Sequence, residues 1–204
     1  MTRTPAALIP FAVLAAFVAG GTLWHLGDLK SGAGTQTIAE KPVQLGGPFS
    51  LTDQDGKTRT DADFRGKYML VFFGYTYCPD VCPTTLAVMS AALDMMGGRA
   101  DRIVPVFVTV DPKRDTPEVM KTYLSAYGSR WVGLTGTEDQ IAAVAKAYRV
   151  FYRVNAAESD NYTVDHSGVV YLMKPDGTYL ANYSLANSPD LMAADLTRKT
   201  IATR

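Results

Sequence analysis

Cysteine and histidine are scarce in this 204-residue chain, with two of each, and net charge is absent because 20 Lys and Arg balance 20 Asp and Glu. Without a positive surplus the chain is not expected to bind nucleic acid, since neutralising phosphates takes an excess of Lys and Arg. No repeat period and no low-complexity tract is present, which argues against solenoids and disordered scaffolds. With so few cysteines and histidines, any metal or thiol chemistry has very few residues to draw on. The rest of the composition, 47% hydrophobic and 20% charged, is that of a folded domain, and the length suits one of typical size.

From Ala6 to Leu26 (AALIPFAVLAAFVAGGTLWHL) the only side chain able to carry a charge is His25. A helix of that length crosses a hydrocarbon core of roughly 30 Å. Pro10 and the Gly20-Gly21 pair disfavour a soluble helix but are tolerated in a membrane span. A cleaved signal peptide, with Val18-Ala19-Gly20 before the cut, competes with an uncleaved anchor. The length criterion favours an anchor over 6–27, preceded by a short cytoplasmic tail at 1–5. Arg3 and the amino terminus lie on the short side, while Asp28 and Lys30 nearly cancel on the other, so the body is expected outside the cytoplasm. Residues 28–41, ending in the small, polar stretch SGAGTQTIAEK, read as a linker to a domain over 42–204. In such a compartment disulfides persist.

Within that domain, Phe49–Thr52, Asp55-Gly56 and Lys57–Arg59 predict a hairpin. The apolar runs YMLVFF at 68–73 and IVPVFVTV from Ile103 to Val110 predict buried strands. A helical stripe runs over 83–96, with Pro83 in its first turn. Thr116-Pro117 opens a helix to about Tyr127, and Thr137 with Gln140 forms a capping box for a helix over 138–148. Trp131–Leu134 and Tyr152–Val154 read as extended. Val169–Met173, Pro175-Asp176-Gly177 and Tyr179–Tyr183 spell a second hairpin, and Ser188-Pro189 opens a last helix. The methionines at 69, 89, 95, 96, 120 and 173 are expected in the core. This order is α/β, a mixed sheet flanked by helices. A thioredoxin-like sandwich has this order, although periodicity does not separate it from other small α/β folds.

Both cysteines lie in one loop, Gly74-Tyr75-Thr76-Tyr77-Cys78-Pro79-Asp80-Val81-Cys82-Pro83, between a buried strand and a helix. The prolines predict an irregular turn over 79–82, with the main helix starting near Pro83. A nearby helix N-terminus favours thiolate, the form that attacks disulfides and binds metal. With His25 in the apolar segment, the domain has one histidine, His166, just ahead of the strand at 169–173. If that strand lies beside 68–73, the histidine and the cysteines emerge on one edge of the sheet. Two thiolates and an imidazole form a soft three-ligand set that suits copper, above all Cu(I). Zinc usually takes a fourth ligand, for which Asp80, Asp165 or water remain. A structural disulfide between the cysteines is the plain alternative.

Taken together these segments resemble the Sco/SenC family of copper chaperones. The likeness is carried by GYTYCPDVCPTTL from Gly74, by Val110-Asp111-Pro112-Lys113-Arg114-Asp115-Thr116-Pro117, by Gly133-Leu134-Thr135-Gly136 and by Asp165-His166-Ser167. The resemblance implies a thioredoxin-like domain behind a membrane anchor, with copper bound by Cys78, Cys82 and His166. It also makes Cys78 and Cys82 a redox-active pair. The implied partner is subunit II of cytochrome c oxidase, whose CuA site receives copper, has its cysteines reduced, or both; other periplasmic copper chaperones or thiol reductants are further partners. The implied location is the inner membrane, single-pass, with the soluble domain on the periplasmic side. The residue before the first motif cysteine is often His in this family and is Tyr77 here, which removes an auxiliary ligand. A thiol-disulfide oxidoreductase of the thioredoxin type is the alternative, but it would carry Cys-x-x-Cys and a Pro ahead of the strand at 169. This chain has Cys-x-x-x-Cys and His166-Ser167-Gly168.

Overall fold

The computed structural model describes residues 44–155, 162–184 and 188–201. The apolar segment expected to anchor the chain (6–27) and the linker (28–41) lie outside the described residues. Among the described residues no helix is long and apolar enough to cross a membrane.

The expected hairpin forms as β1 (Ser50–Asp53) and β2 (Thr58–Thr60). Asp53 shapes its turn by accepting the Asp55 and Lys57 amides, each at 2.9 Å. The two continuous apolar runs become β3 (Tyr68–Gly74) and β4 (Ile103–Thr109), parallel neighbours in register from Tyr68↔Ile103 to Gly74↔Thr109. All seven residues of β3 are buried, as a strand covered on both faces requires. The strand β5 (Val132–Thr135) extends this parallel set. On the other side β8 (Val169–Met173) runs antiparallel to β3, followed by β9 (Tyr179–Ser184). The seven-stranded order is β2-β1-β5-β4-β3-β8-β9.

Among the described residues four α-helices accompany the sheet: α1 (Val81–Met96), α2 (Pro117–Ser125), α3 (Glu138–Ala147) and α4 (Pro189–Ile201). Thr116 caps α2, and Thr137 with Gln140 forms the expected capping box of α3. Alternate residues of β3 face opposite layers. Phe72 meets Phe107, whose ring lies 5.9 Å from that of Tyr123 in α2, whereas Phe73 meets Tyr148 at the end of α3. Burying each phenylalanine contributes roughly 2 kcal/mol. The stripe Leu86, Met89, Leu93 and Met96 buries α1, which packs on α4. Met95 is the exception among the expected core methionines, at 60% exposure. It sits next to the buried Met96, about 100° around the helix and so off the stripe.

Two local outcomes differ from the sequence reading. Helix α1 begins at Val81, two residues earlier than expected, and its first backbone bond runs from Thr84 N–H to Asp80 C=O. Pro83 is therefore the third helical residue, where the missing N–H would have had no intrahelical partner. His166, expected in a connection, ends a strand of its own. β7 (Thr163–His166) pairs with β6 (Tyr152–Asn155) as a two-stranded ribbon separate from the main sheet.

Candidate metal centre

The antiparallel pairing Phe72↔Val170 brings the chain just before β8 to the end of β3 from which the cysteine loop leaves. As a result Cys78, Cys82 and His166 converge, with one ligand atom from each lying within 4.8 Å of the others. Cys82 Sγ is 3.3 Å from His166 Nε2. Cys82 is fully buried, while Cys78 and His166 are half-buried, so the group opens to solvent on one side. Both thiols are unpaired.

Local geometry prepares each donor. Cys78 precedes α1, and its sulfur accepts the Cys82 amide at 3.4 Å, in effect capping the first turn. The Cys78 thiol is pulled down to about 4, first by the hydrogen bond from the Cys82 thiol, with burial opposing and backbone amides assisting. Cys82 is pushed strongly upward by the same hydrogen bond and by burial, so one proton stays on the inner sulfur. His166 Nδ1 lies 3.3 Å from the Ser167 carbonyl. A carbonyl only accepts, so the Nδ1 proton points there and the Nε2 lone pair faces the sulfurs. The ring is held edge-on by Phe72 and Tyr75, with centroids at 6.0 and 5.8 Å.

Gly74 makes room for the inner sulfur, because a Cβ there would meet Cys82 Sγ at 2.7 Å. Beneath the cysteine loop, the buried Asp115 accepts from Thr76 N–H at 3.0 Å, Thr76 Oγ1 at 2.6 Å and Thr109 Oγ1 at 2.6 Å. Burial shifts its carboxyl upward against these three donors. The segment Asp111–Pro117 thus ties the cysteine loop to β4 and caps α2.

Neither candidate carboxylate joins the group. Asp165 bonds Arg153 Nη2 at 2.9 Å and Asn155 Nδ2 at 2.8 Å on the ribbon's exposed side, and the metal-competent cluster includes neither it nor Asp80. Sequence reasoning singled out all three clustered residues but missed the aromatic pair around His166 and the space above Gly74. Phe72 is one of a continuous apolar run that does not single it out, and nothing local pointed to Tyr75.

A parallel strand–helix–strand, an antiparallel hairpin and a closing helix, with a thiol pair at the first helix N-terminus, define a thioredoxin-like domain with a soft three-ligand site. The SCO1/SenC family model matches residues 38–200, and the chain belongs to that family. It is 40% identical over 183 residues to an SCO2-like protein of Rickettsia felis, covering 87% of this chain and 89% of that one. Bradyrhizobium japonicum ScoI, solved with copper bound, superposes with a TM-score of 0.71 at 47% identity, over 76% of this chain and 98% of its own. Arabidopsis thaliana ScoI, also solved with copper bound, gives 0.73 at 38% identity, over 78% and 99%.

Proposed function

We propose that this protein is a membrane-tethered copper chaperone that holds its cargo ion through Cys78, Cys82 and His166 and passes it to the CuA site of cytochrome c oxidase subunit II. The convergence of two sulfurs and one imidazole nitrogen within 4.8 Å carries the reading. These are soft donors that suit copper, and three of them leave a coordination position open. The copper-bound relatives at 47% and 38% identity support the identity of the cargo. Subunit II as acceptor rests on the family resemblance. An anchor over 6–27, in an inner membrane and with the domain on the periplasmic side, would keep the site near a membrane-bound oxidase.

Hand-over needs little from the fold. The half-exposed Cys78 side admits an acceptor thiolate or imidazole to the open position, and ligands then exchange one at a time. Buried Cys82 leaves last. Oxidation to a Cys78–Cys82 disulfide removes two of the three donors, so cargo and thiol state are linked.

Disulfide reduction is a second activity of the same pair, favoured by the unpaired thiols and the half-buried, thiolate-prone Cys78. Cys78 attacks an acceptor disulfide, forming a mixed disulfide and releasing one acceptor thiolate. Cys82 then loses its proton and displaces the second. The pair gives up two electrons, and the acceptor gains two thiols.

The test is Cu(I) titration of the reduced full-length protein against a chromogenic chelator, followed by mixing with the reduced CuA domain. Wild type is expected to bind one ion per chain and to load the CuA domain with copper, measured by elemental analysis after the two proteins are separated, whereas His166→Ala binds more weakly. Equal affinity in both proteins would defeat the three-ligand site. A wild type that binds no copper but turns over disulfides at thioredoxin-like rates would leave only the reductase. Loaded protein that leaves CuA empty would exclude subunit II as acceptor.

A further inference from the structure

The ribbon that carries His166 shares no ladder with the main sheet, and a two-stranded ribbon is marginal by itself. Where the chain enters β7, Tyr162 lies beneath the Arg114 guanidinium, with Cζ 3.6 Å from the ring centroid. Arg114 Nη1 donates to the Tyr162 carbonyl at 3.0 Å, and the Tyr162 hydroxyl donates to Asp111 Oδ1 at 2.6 Å. Asp111 Oδ2 in turn accepts from Arg114 Nε. The same guanidinium also meets Tyr77 at 4.7 Å and Tyr75 at 5.8 Å. Tyr77 immediately precedes Cys78, and Tyr75 touches the His166 ring. The Arg114 side chain is 14% exposed and Tyr75 is buried, whereas Tyr77, at 60% exposure, covers the guanidinium from the solvent side.

We infer that Arg114 is a positioning residue that sets the separation between the cysteine loop and His166, by stacking the segments that lead into each onto one planar cation. The inference rests on the three-ligand reading above. Planarity is the property required, because a guanidinium offers a flat face to rings while its edge nitrogens bond Asp111 and the Tyr162 carbonyl. A lysine ammonium keeps the charge and loses the face. Tyr77, in place of the His common at that position, adds a ring to the stack instead of a donor to the metal.

The experiment is a double-variant cycle on the reduced full-length protein, using Cu(I) affinity and the EPR and absorption spectra of the Cu(II)-loaded form. Arg114→Lys is expected to weaken Cu(I) binding about tenfold, the scale of a lost outer-shell partner. It should also diminish the imidazole nitrogen hyperfine coupling while leaving the sulfur-to-copper band. Combined with His166→Ala, it should cost no more than His166→Ala alone. Losses that multiply in the double variant, or an Arg114→Lys protein with unchanged affinity and hyperfine coupling, overturn the inference. His166→Ala with full affinity overturns the three-ligand reading instead. Tyr162→Leu, which keeps the Arg114–Asp111 pair, should reproduce the Arg114→Lys pattern. If both variants lose the near-ultraviolet circular dichroism of the fold, Arg114 is structural and the inference fails.

Discussion

Cys82 Sγ and His166 Nε2 meet at 3.3 Å across 84 residues of sequence. Their contact depends on β3 and β8 running antiparallel side by side, so that the end of one meets the approach to the other. Several features around that contact make it open to experiment.

Gly74→Ala should damage the site from behind. The added methyl would meet Cys82 Sγ at 2.7 Å, Phe107 at 3.0 Å and Phe72 at 3.1 Å, none of which can retreat from a packed core. Denaturant unfolding is expected to show a loss of about 1–3 kcal/mol. Copper titration of the same variant should show weakened binding, because the inner sulfur is displaced.

The two thiols should react unequally. In the reduced, metal-free protein, iodoacetamide should modify Cys78 readily at pH 6, where a thiol of ordinary acidity is almost wholly protonated. Its rate profile should inflect far below the ordinary thiol range, near the value of about 4 to which the Cys82 hydrogen bond lowers it. Cys82, buried and shifted the other way, should stay unmodified until the fold opens. Peptide mapping after a timed quench distinguishes the two sites.

Oxidation should empty the protein of copper. Diamide treatment of loaded protein is expected to form the Cys78–Cys82 disulfide and release one equivalent of metal, with rebinding after reduction. Dialysis and elemental analysis measure both. Retention of the metal by fully oxidised protein would show that the cysteines are not its ligands.

Asp115→Ala should destabilise the domain without touching a ligand. It leaves the Thr76 amide and the Thr76 and Thr109 hydroxyls facing a void where a buried carboxylate accepted all three. The expected cost is about 3 kcal/mol in urea unfolding. Stability linked to Asp115 also has a definite pH sign. Its folded-state carboxyl is shifted up by burial, so its contribution is full at pH below the unfolded value and declines as pH rises through the shifted one. Subtracting the pH–stability curve of Asp115→Ala from that of wild type isolates this decline.

Much of this was legible from local pattern. Continuous apolar runs marked β3, β4 and β8, and Thr116-Pro117 and the Thr137/Gln140 pair marked the starts of α2 and α3, because capping and strand burial are decided within a few residues. The start of α1 was misplaced because Pro83 reads as a barrier, when at the third helical position it interrupts no bond. β7 escaped notice because its ladder is to β6 alone, and a four-residue strand with one buried residue leaves no periodic signature.

Sequence by itself determined the donor inventory. Two cysteines and one histidine outside the apolar segment admit a single soft three-ligand site, whatever the fold. Only tertiary structure decided that the three meet, which sulfur is buried, which nitrogen faces them, and that Arg114 joins Tyr77 to Tyr162. Those outcomes depend on strand order and on packing between distant segments, and short-range spacing carries no information about either.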